Sequence, residues 1–373
     1  MIAVIGGVQV GVDVRLMPPK RDMELQKKQD EEALRQAGID PATGAEMTAG
    51  GQKLEGFSQY YERTMRAQAS ESYWDKVGLS GNQFGGYDPV VEDNKTDIRV
   101  KNSGCAFQVA KHLAADHGAE VVFVSVVGDD AFGLAAKCEL EQAGVDISAI
   151  RTVHAATPVS VEIHNIIGEL QFLRENTAAM DLLTPEMLEE CAGVLNEADA
   201  IFVDGTVPAA TLDFISEKYA GKSRIYFDPG SIDGGVRFAE SSMKAHCVLP
   251  GRMEAEAMSG QQVLGMDQLM SAGQAFEDRG VEKVIITLKG GGLYYKEGLS
   301  SGMLKPDRKL TFAETRGAGD VLAAAVVAAA EGRAAAEGST PDASGSGSLE
   351  EAAAAGMDAA AEFLKDVIDE RPY

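Results

Sequence analysis

Residues 199–230 read DAIFVDGTVPAATLDFISEKYAGKSRIYFDPG. Apolar and β-branched residues crowd into DAIFVDG and again into SRIYFDPG, and helical spacing runs through TLDFISEKYAG between them. Short apolar runs of that kind read as buried strands, and the amphipathic stretch as the crossover helix of a parallel pair. The rhythm continues outward. Upstream, TPEMLEECAGVLNEA is a helix opened by a Thr cap. Downstream, HCVLPG is a strand, RMEAEAMSG and QLMSAGQAFEDRG are helices, and KVIITLKGGG is a strand. Further toward the N-terminus, CAFQVAKHLAADHG reads as an amphipathic helix. AEVVFVSVVGDD reads as a buried strand, and FGLAAKCELEQAG as a helix closed by Gly144. VSVEIHNI and ELQFLREN alternate with period two, as a hairpin about Gly168 does. Residues 2–14 read as a buried strand, with close backbone approach at Gly6, Gly7 and Gly11. The fold class is therefore α/β: a doubly wound, mostly parallel sheet flanked by helices, with ligands at the carboxyl ends of the strands.

Composition narrows the function. The chain has 373 residues, 45% of them hydrophobic and 25% charged, within the globular range. Thirty-four Lys and Arg stand against 58 Asp and Glu, a net charge of −24. Such a surface repels nucleic acid and anionic membrane, and neither is expected as a partner. Its first office is solubility. The four cysteines are far apart in sequence and form no CxxC pair, the five histidines show no ligand spacing, and the N-terminus lacks the basic region of a secretory leader. Reduced thiols in the cytoplasm are the expectation.

The chemistry concentrates near residue 320. Gly6 and Gly11 have the spacing of a phosphate loop, but Val12-Asp13 follows where Lys-Ser/Thr is required, so no such site is expected there. Glu314-Thr315-Arg316-Gly317-Ala318-Gly319-Asp320 instead precedes an Ala-rich helix. Glycines at a helix start aim bare N–H groups outward, and the helix dipole adds to the pull on an anion. Asp320 in the first turn is either a helix cap or a base for an alcohol beside a bound phosphate. A second glycine cluster, Gly290–Gly292, ends the strand at 284–288. It reads equally as a hairpin turn and as a phosphate-binding bend.

Together these motifs resemble the ribokinase-like (PfkB) family of carbohydrate and nucleoside kinases. GAGD after a Thr is similar to the family's closing signature. Ser103-Gly104-Cys105-Ala106-Phe107-Gln108-Val109-Ala110 resembles its first. Val127-Gly128-Asp129-Asp130-Ala131-Phe132-Gly133 and Gly144-Val145-Asp146 resemble the turns between, and Pro250-Gly251-Arg252-Met253-Glu254 its Pro-Asn-x-x-Glu. The resemblance implies ATP and Mg²⁺ as cofactors, with a monovalent cation as a further candidate. It implies Asp320 as general base, and Gly317, Ala318 and Gly319 as an anion hole. Thr287, Lys289, Gly290 and Gly292 would face the nucleotide, and Glu254 the Mg²⁺ water shell. Gly104, Cys105 and Gln108 would face the acceptor, joined by Asp13 in place of the family's strand-end Asp.

Departures fall in the substrate and metal shells: Glu314 for Asp, Ser103 for Gly, Gln108 and Gly251 for Asn, and Lys289 for Gly. A changed acceptor accounts for that pattern. Pro250 to Glu256 with Ser259-Gly260, and the VIGG start, are most similar to pseudouridine-kinase-type members. The resemblance implies a kinase domain over 1–17 and 98–373, with the family's small lid enlarged by an insertion at 18–97. Within the insertion, residues 20–37 and a stretch near 57–77 read as helices, and the Gly-, Asn- and Asp-rich residues 79–97 as loop. The insertion carries seven aromatic side chains and is expected to fold, either as an extended lid or as a homodimer element. Residues 340–348 read as a flexible linker. The expected function is phosphorylation of a sugar or nucleoside hydroxyl by ATP. The alternative is a non-catalytic sugar- or nucleoside-binding or scaffold protein that retains the fold.

Overall fold

The computed structural model describes residues 1–16, 96–164, 170–288, 292–306, 317–332 and 348–369. Ile2–Ile5 (β1) is apolar at every position and wholly buried. A strand covered on both faces belongs in the middle of a parallel sheet with helices on either side. That is its place. β1 pairs in parallel with Val121–Gly128 (β4) on one edge and Ala200–Asp204 (β8) on the other. The remaining strands of this sheet are Ile150–Val153 (β5), Arg224–Asp228 (β9), Cys247–Val248 (β10), Lys283–Thr287 (β11), Leu293–Glu297 (β12) and Ser300–Leu304 (β13). Nine strands run in the order β13-β12-β11-β10-β9-β8-β1-β4-β5. Pairing is parallel from β11 to β5 and antiparallel only where β12 and β13 extend the edge.

Alternation along β1 sorts the core into two layers. Ile2 and Val4 pack with Cys105–Ala115 (α1), Ala131–Gln142 (α2), Ala318–Ala330 (α9) and Leu349–Asp369 (α10). Ala3 and Ile5 pack on the other face with Ala209–Tyr219 (α5), Ile232–Glu240 (α6), Arg252–Ser259 (α7) and Met266–Asp278 (α8). The doubly wound α/β fold is therefore present. α9 is apolar nearly all round, with Val321 through Ala328 buried, because it packs against α1 and α10 as well as the sheet.

A second sheet of four strands has the order β3-β2-β6-β7, from Gln9–Leu16 (β2), Thr96–Ser103 (β3), Val159–His164 (β6) and Leu170–Asn176 (β7). The chain divides into two compact units. The first comprises Met1–Val12, Arg99–Glu162 and Phe172–Tyr373; the second comprises Asp13–Ile98 and Ile163–Gln171.

Four expectations change. Residues 2–14 are two strands of different sheets, not one, parted at Gly6–Val8. The helix after Thr184 breaks at Cys191 (φ −90, ψ 6) into Pro185–Glu190 (α3) and Ala192–Asn196 (α4). β10 is only two residues long. Thr96 and Asp97, read as loop, lie on β3. The rest of the insertion, both helical stretches expected in it, and residues 340–347 of the linker lie outside the described residues.

Candidate active site

Parallel strands leave their carboxyl ends on one rim of the sheet, and on this rim the first unit gathers its acidic side chains. β8 ends in Asp204 and β9 in Asp228, and the two are register partners. A cavity of about 740 Å³ opens beside them. Its lining includes Asp228, Glu254 from the first turn of α7, Thr287 at the end of β11, Gly292, and Ala318, Gly319 and Asp320 at the start of α9. Leu288, Leu293, Leu322, Met357 and Leu364 form its apolar wall.

Gly317 caps α9 with φ 84, a left-handed conformation that favours glycine, and no side chain caps the helix. The first N–H groups of an α-helix have no intrahelical acceptor. Gly319 follows inside the helix, where an added Cβ would meet nothing within 4 Å. Neither backbone strain nor packing demands glycine at 319; the space it leaves belongs to the cavity. At the bend between β11 and β12 the Leu288 N–H donates to the Gly292 carbonyl (2.9 Å), and Gly292 has φ 94. A Cβ there would lie 2.0 Å from the Leu304 carbonyl oxygen. Gly292 thus serves the hairpin and also lines the cavity.

Asp320 is half-buried, and burial pushes its carboxyl up to about 7. The negative charge of Asp204 adds to that push, while the Cys105 thiol, donating a hydrogen bond, and Lys101 draw it down. The thiol of Cys105, first residue of α1, is itself held well above its usual range, by burial first and then by Asp228, Asp320 and Asp204. It is a neutral donor, not a thiolate. Asp228 is raised too, by burial and by the charges of Asp320, Glu254 and Asp204, against the Gly230 N–H that donates to it at 2.8 Å. A carboxyl that titrates near neutrality can take a proton at working pH, which one at 3.8 does poorly.

Glu254 is a hard oxygen donor in the cavity with Asp228. Among the described residues no three side chains form a metal cage. One carboxylate beside a polyphosphate site suits Mg²⁺, which keeps much of its water and takes the rest from phosphate and one or two carboxylates. Gly251 has its own explanation: a Cβ there would stand 2.5 Å from Glu254 Oε2, so the carboxylate occupies the space an Asn side chain would need.

The model of the pfkB family of carbohydrate kinases matches residues 76–366. This chain belongs to that family. Pseudouridine kinase of Escherichia coli K12 is 23% identical over 235 residues, 63% of this chain and 74% of that protein. Among solved structures, ribokinase from Giardia lamblia superposes with a TM-score of 0.65 at 16% identity, covering 96% of this chain and 90% of that one. An Arabidopsis thaliana ribokinase complexed with ribose and ATP gives a TM-score of 0.61 at 16% identity, covering 96% and 90%. The fold is ribokinase-like.

Within this PfkB member the structure gathers Thr287, Gly292, Glu254, Ala318, Gly319 and Asp320 around one cavity and brings Cys105 onto Asp320. Gly104 caps α1. Gln108 lies one turn further along that helix, and its side-chain amide donates to the Asn102 carbonyl (3.1 Å). Asp13 is buried on β2 in the second unit. Lys289, Gly290 and Glu314 lie outside the described residues. Sequence reading passed over Asp204 and Asp228. Each stands immediately before Gly or Pro-Gly and reads as turn punctuation. Their signal was that both close an otherwise apolar parallel strand, the place where a sheet of this type presents side chains to ligand. Among the described residues no helix is long and apolar enough to cross a membrane.

Proposed function

We propose that this protein transfers the γ-phosphoryl group of ATP to a hydroxyl of a nucleoside or modified ribose, with Asp320 as the proton acceptor. One observation carries the reading: a half-buried carboxyl titrating at about 7 sits at the mouth of an uncapped helix start, in the cavity that holds Thr287 and Gly292. The acceptor oxygen forms the new P–O bond as the bond from the γ-phosphorus to the β–γ bridging oxygen breaks. The hydroxyl proton passes to an Asp320 carboxylate oxygen, and ADP leaves. The backbone N–H groups of Gly317, Ala318 and Gly319 meet the charge on the transferring group. Donors fixed in place stabilise such charge without reorganising. The Cys105 thiol orients the base. Thr287 and Gly292 receive the nucleotide phosphates, and Lys289 and Gly290 are assigned with them from the sequence alone.

Glu254 would hold Mg²⁺ through water, and the ion would neutralise phosphate charge in a cavity whose lining carries three carboxylates. Gly104 and Gln108 complete the acceptor side of this reading. The named relatives support a sugar-type acceptor, and the pseudouridine kinase a nucleoside. A non-catalytic binding role draws its support from Gln108, whose amide is already engaged by a backbone carbonyl. ADP release with ATP, Mg²⁺ and a panel of pseudouridine, uridine, ribose and fructose separates the two. Turnover of pseudouridine above the others supports the reading. Binding detected by thermal shift without turnover of any of them would replace it with the non-catalytic role.

A further inference from the structure

One buried carboxyl close to the reacting groups has no part in the steps above. Asp204 is completely shielded from solvent. Burying a charge without partners is costly, so its surroundings must supply them. They do. Asp204 Oδ2 accepts from the Gly7 N–H (3.2 Å) and the Ala106 N–H (3.1 Å). Oδ1 accepts from the Thr206 N–H (2.9 Å) and the Thr206 hydroxyl. Burial pushes the carboxyl above its usual range, and the four partners, all of them donors, oppose that push by favouring the ionised form. The three places that donate come from distant parts of the chain: the turn after β1, the first turn of α1, and the turn after β8. Gly6 is shaped to this carboxylate as well, since a Cβ there would come within 2.5 Å of Asp204 Cγ.

We propose that Asp204 is the positioning residue of the acceptor side: its carboxylate ties the Gly7 turn, the start of α1 and the Thr206 turn together, and so holds the Cys105 thiol against Asp320. Cys105 is the residue next to Ala106, so the bond to the Ala106 N–H fixes the thiol's starting point directly. The inference rests on Asp320 being the proton acceptor. The groups that act on Asp320 are Cys105 from α1, Lys101 from β3, Asp204 from β8 and, beside it, Asp228 from β9. Phe363, which α10 places nearest Gly317, carries no charge.

Two readouts test this, and the first needs no turnover. In protein labelled with ¹³C at aspartate carboxyls, the resonance lost in Asp320→Asn identifies that group. In wild type it should titrate near pH 7. In a Cys105→Ala background Asp204→Asn should lower its midpoint, because a like charge has gone; with the Cys105 thiol present that fall should be offset by about half a pH unit or more, because the donor that draws the carboxyl down is no longer held against it. The second readout is kinetic, with ATP and whichever of pseudouridine, uridine or ribose the wild type phosphorylates. Acceptor kcat/KM should fall about tenfold or more with KM for ATP unchanged within about twofold. Should Asp204→Asn not fold, Thr206→Val removes the hydroxyl donor, leaves the three backbone donors, and should show the same dependence on the thiol to a lesser extent. A midpoint change that is the same with and without the Cys105 thiol in the variants that fold, or an ATP KM that rises as far as acceptor efficiency falls, would overturn the inference. A wild type that phosphorylates nothing on the panel would sink the kinase reading alone, since the titration still judges Asp204.

Discussion

The two halves of the proposed site are built by different means. On the proposed phosphate side the backbone does the holding: the uncapped start of α9 and the hairpin bend at Gly292 present main-chain groups, and Gly317 and Gly292 are set by their positive φ. On the proposed acceptor side the work falls to side chains: Cys105 on Asp320, Gln108 on Asn102, and Asp204 on three turns. A backbone site tolerates few sequences where, as at Gly317 and Gly292, its geometry favours glycine. A side-chain site can be re-dressed one residue at a time. The departures from the family pattern at Ser103 and Gln108 lie in the second kind of site, and GAGD lies in the first.

Asp320→Asn should do most to break the comparison, since the base belongs to both halves. Turnover should fall on the order of 10²–10⁴-fold with ATP binding kept. In wild type, kcat/KM should rise with pH through about 7 as Asp320 loses its proton. The stability sign runs opposite. A carboxyl raised from 3.8 to about 7 is penalised when ionised, and that penalty is absent below pH 4 and complete above 7. Asp320→Asn should therefore melt at or above the wild-type temperature at pH 8, read by calorimetry.

Gly319→Ala comes next and separates ligand space from fold. Outside its chain neighbours and the helix's own backbone, no protein atom stands within 4 Å of the added methyl, and Ala favours a helix over Gly by roughly 0.5–1 kcal/mol. Melting temperature should hold or rise while kcat falls by about tenfold to a hundredfold, because the methyl keeps the transferring group off N–H donors that themselves remain. Unaltered turnover would show that no phosphoryl group approaches this helix start. Gly292→Ala should do the reverse. A left-handed φ and a carbonyl 2.0 Å from the new Cβ place the cost in the fold, about 1–3 kcal/mol of strain, with ATP affinity falling in step.

Cys105→Ala is the smallest and the most diagnostic. Removing the thiol donor should carry the acid limb of the rate profile to higher pH. Acceptor KM should change by a few-fold at most, about what one neutral hydrogen bond is worth. An acid limb left in place would mean that the thiol does not act on Asp320.

The same division governs how much could be read from sequence. Gly317, Gly319 and Asp320 were legible because glycine beside an apolar helix has few other uses. The strands around 199–230 were legible because burial on both faces demands unbroken apolar runs. Ile232–Glu240 was not, since Gly234-Gly235 depresses helix propensity. Yet Ser231 caps it, accepting from the Gly234 N–H at 3.0 Å, and a Cβ at Gly234 would meet the Pro229 carbonyl oxygen at 2.0 Å. Tertiary contact chose the residue and overrode the propensity. Asp204 was illegible for a related reason: its partners lie nearly 200 positions away at Gly7 and about 100 away at Ala106. No local window contains them.

α9 carries Asp320 and is also the apolar helix lodged between α1, α10 and the sheet. During synthesis, roughly 200 residues must emerge after α1 before α9 appears, at about 5–20 residues per second. For those tens of seconds a nascent chain has the strands of the rim and the thiol of Cys105, but neither the proposed base nor the proposed anion hole. On the function proposed above, the helix that closes the core is the one that switches on the chemistry, so a chain that has not finished folding has no means to spend ATP.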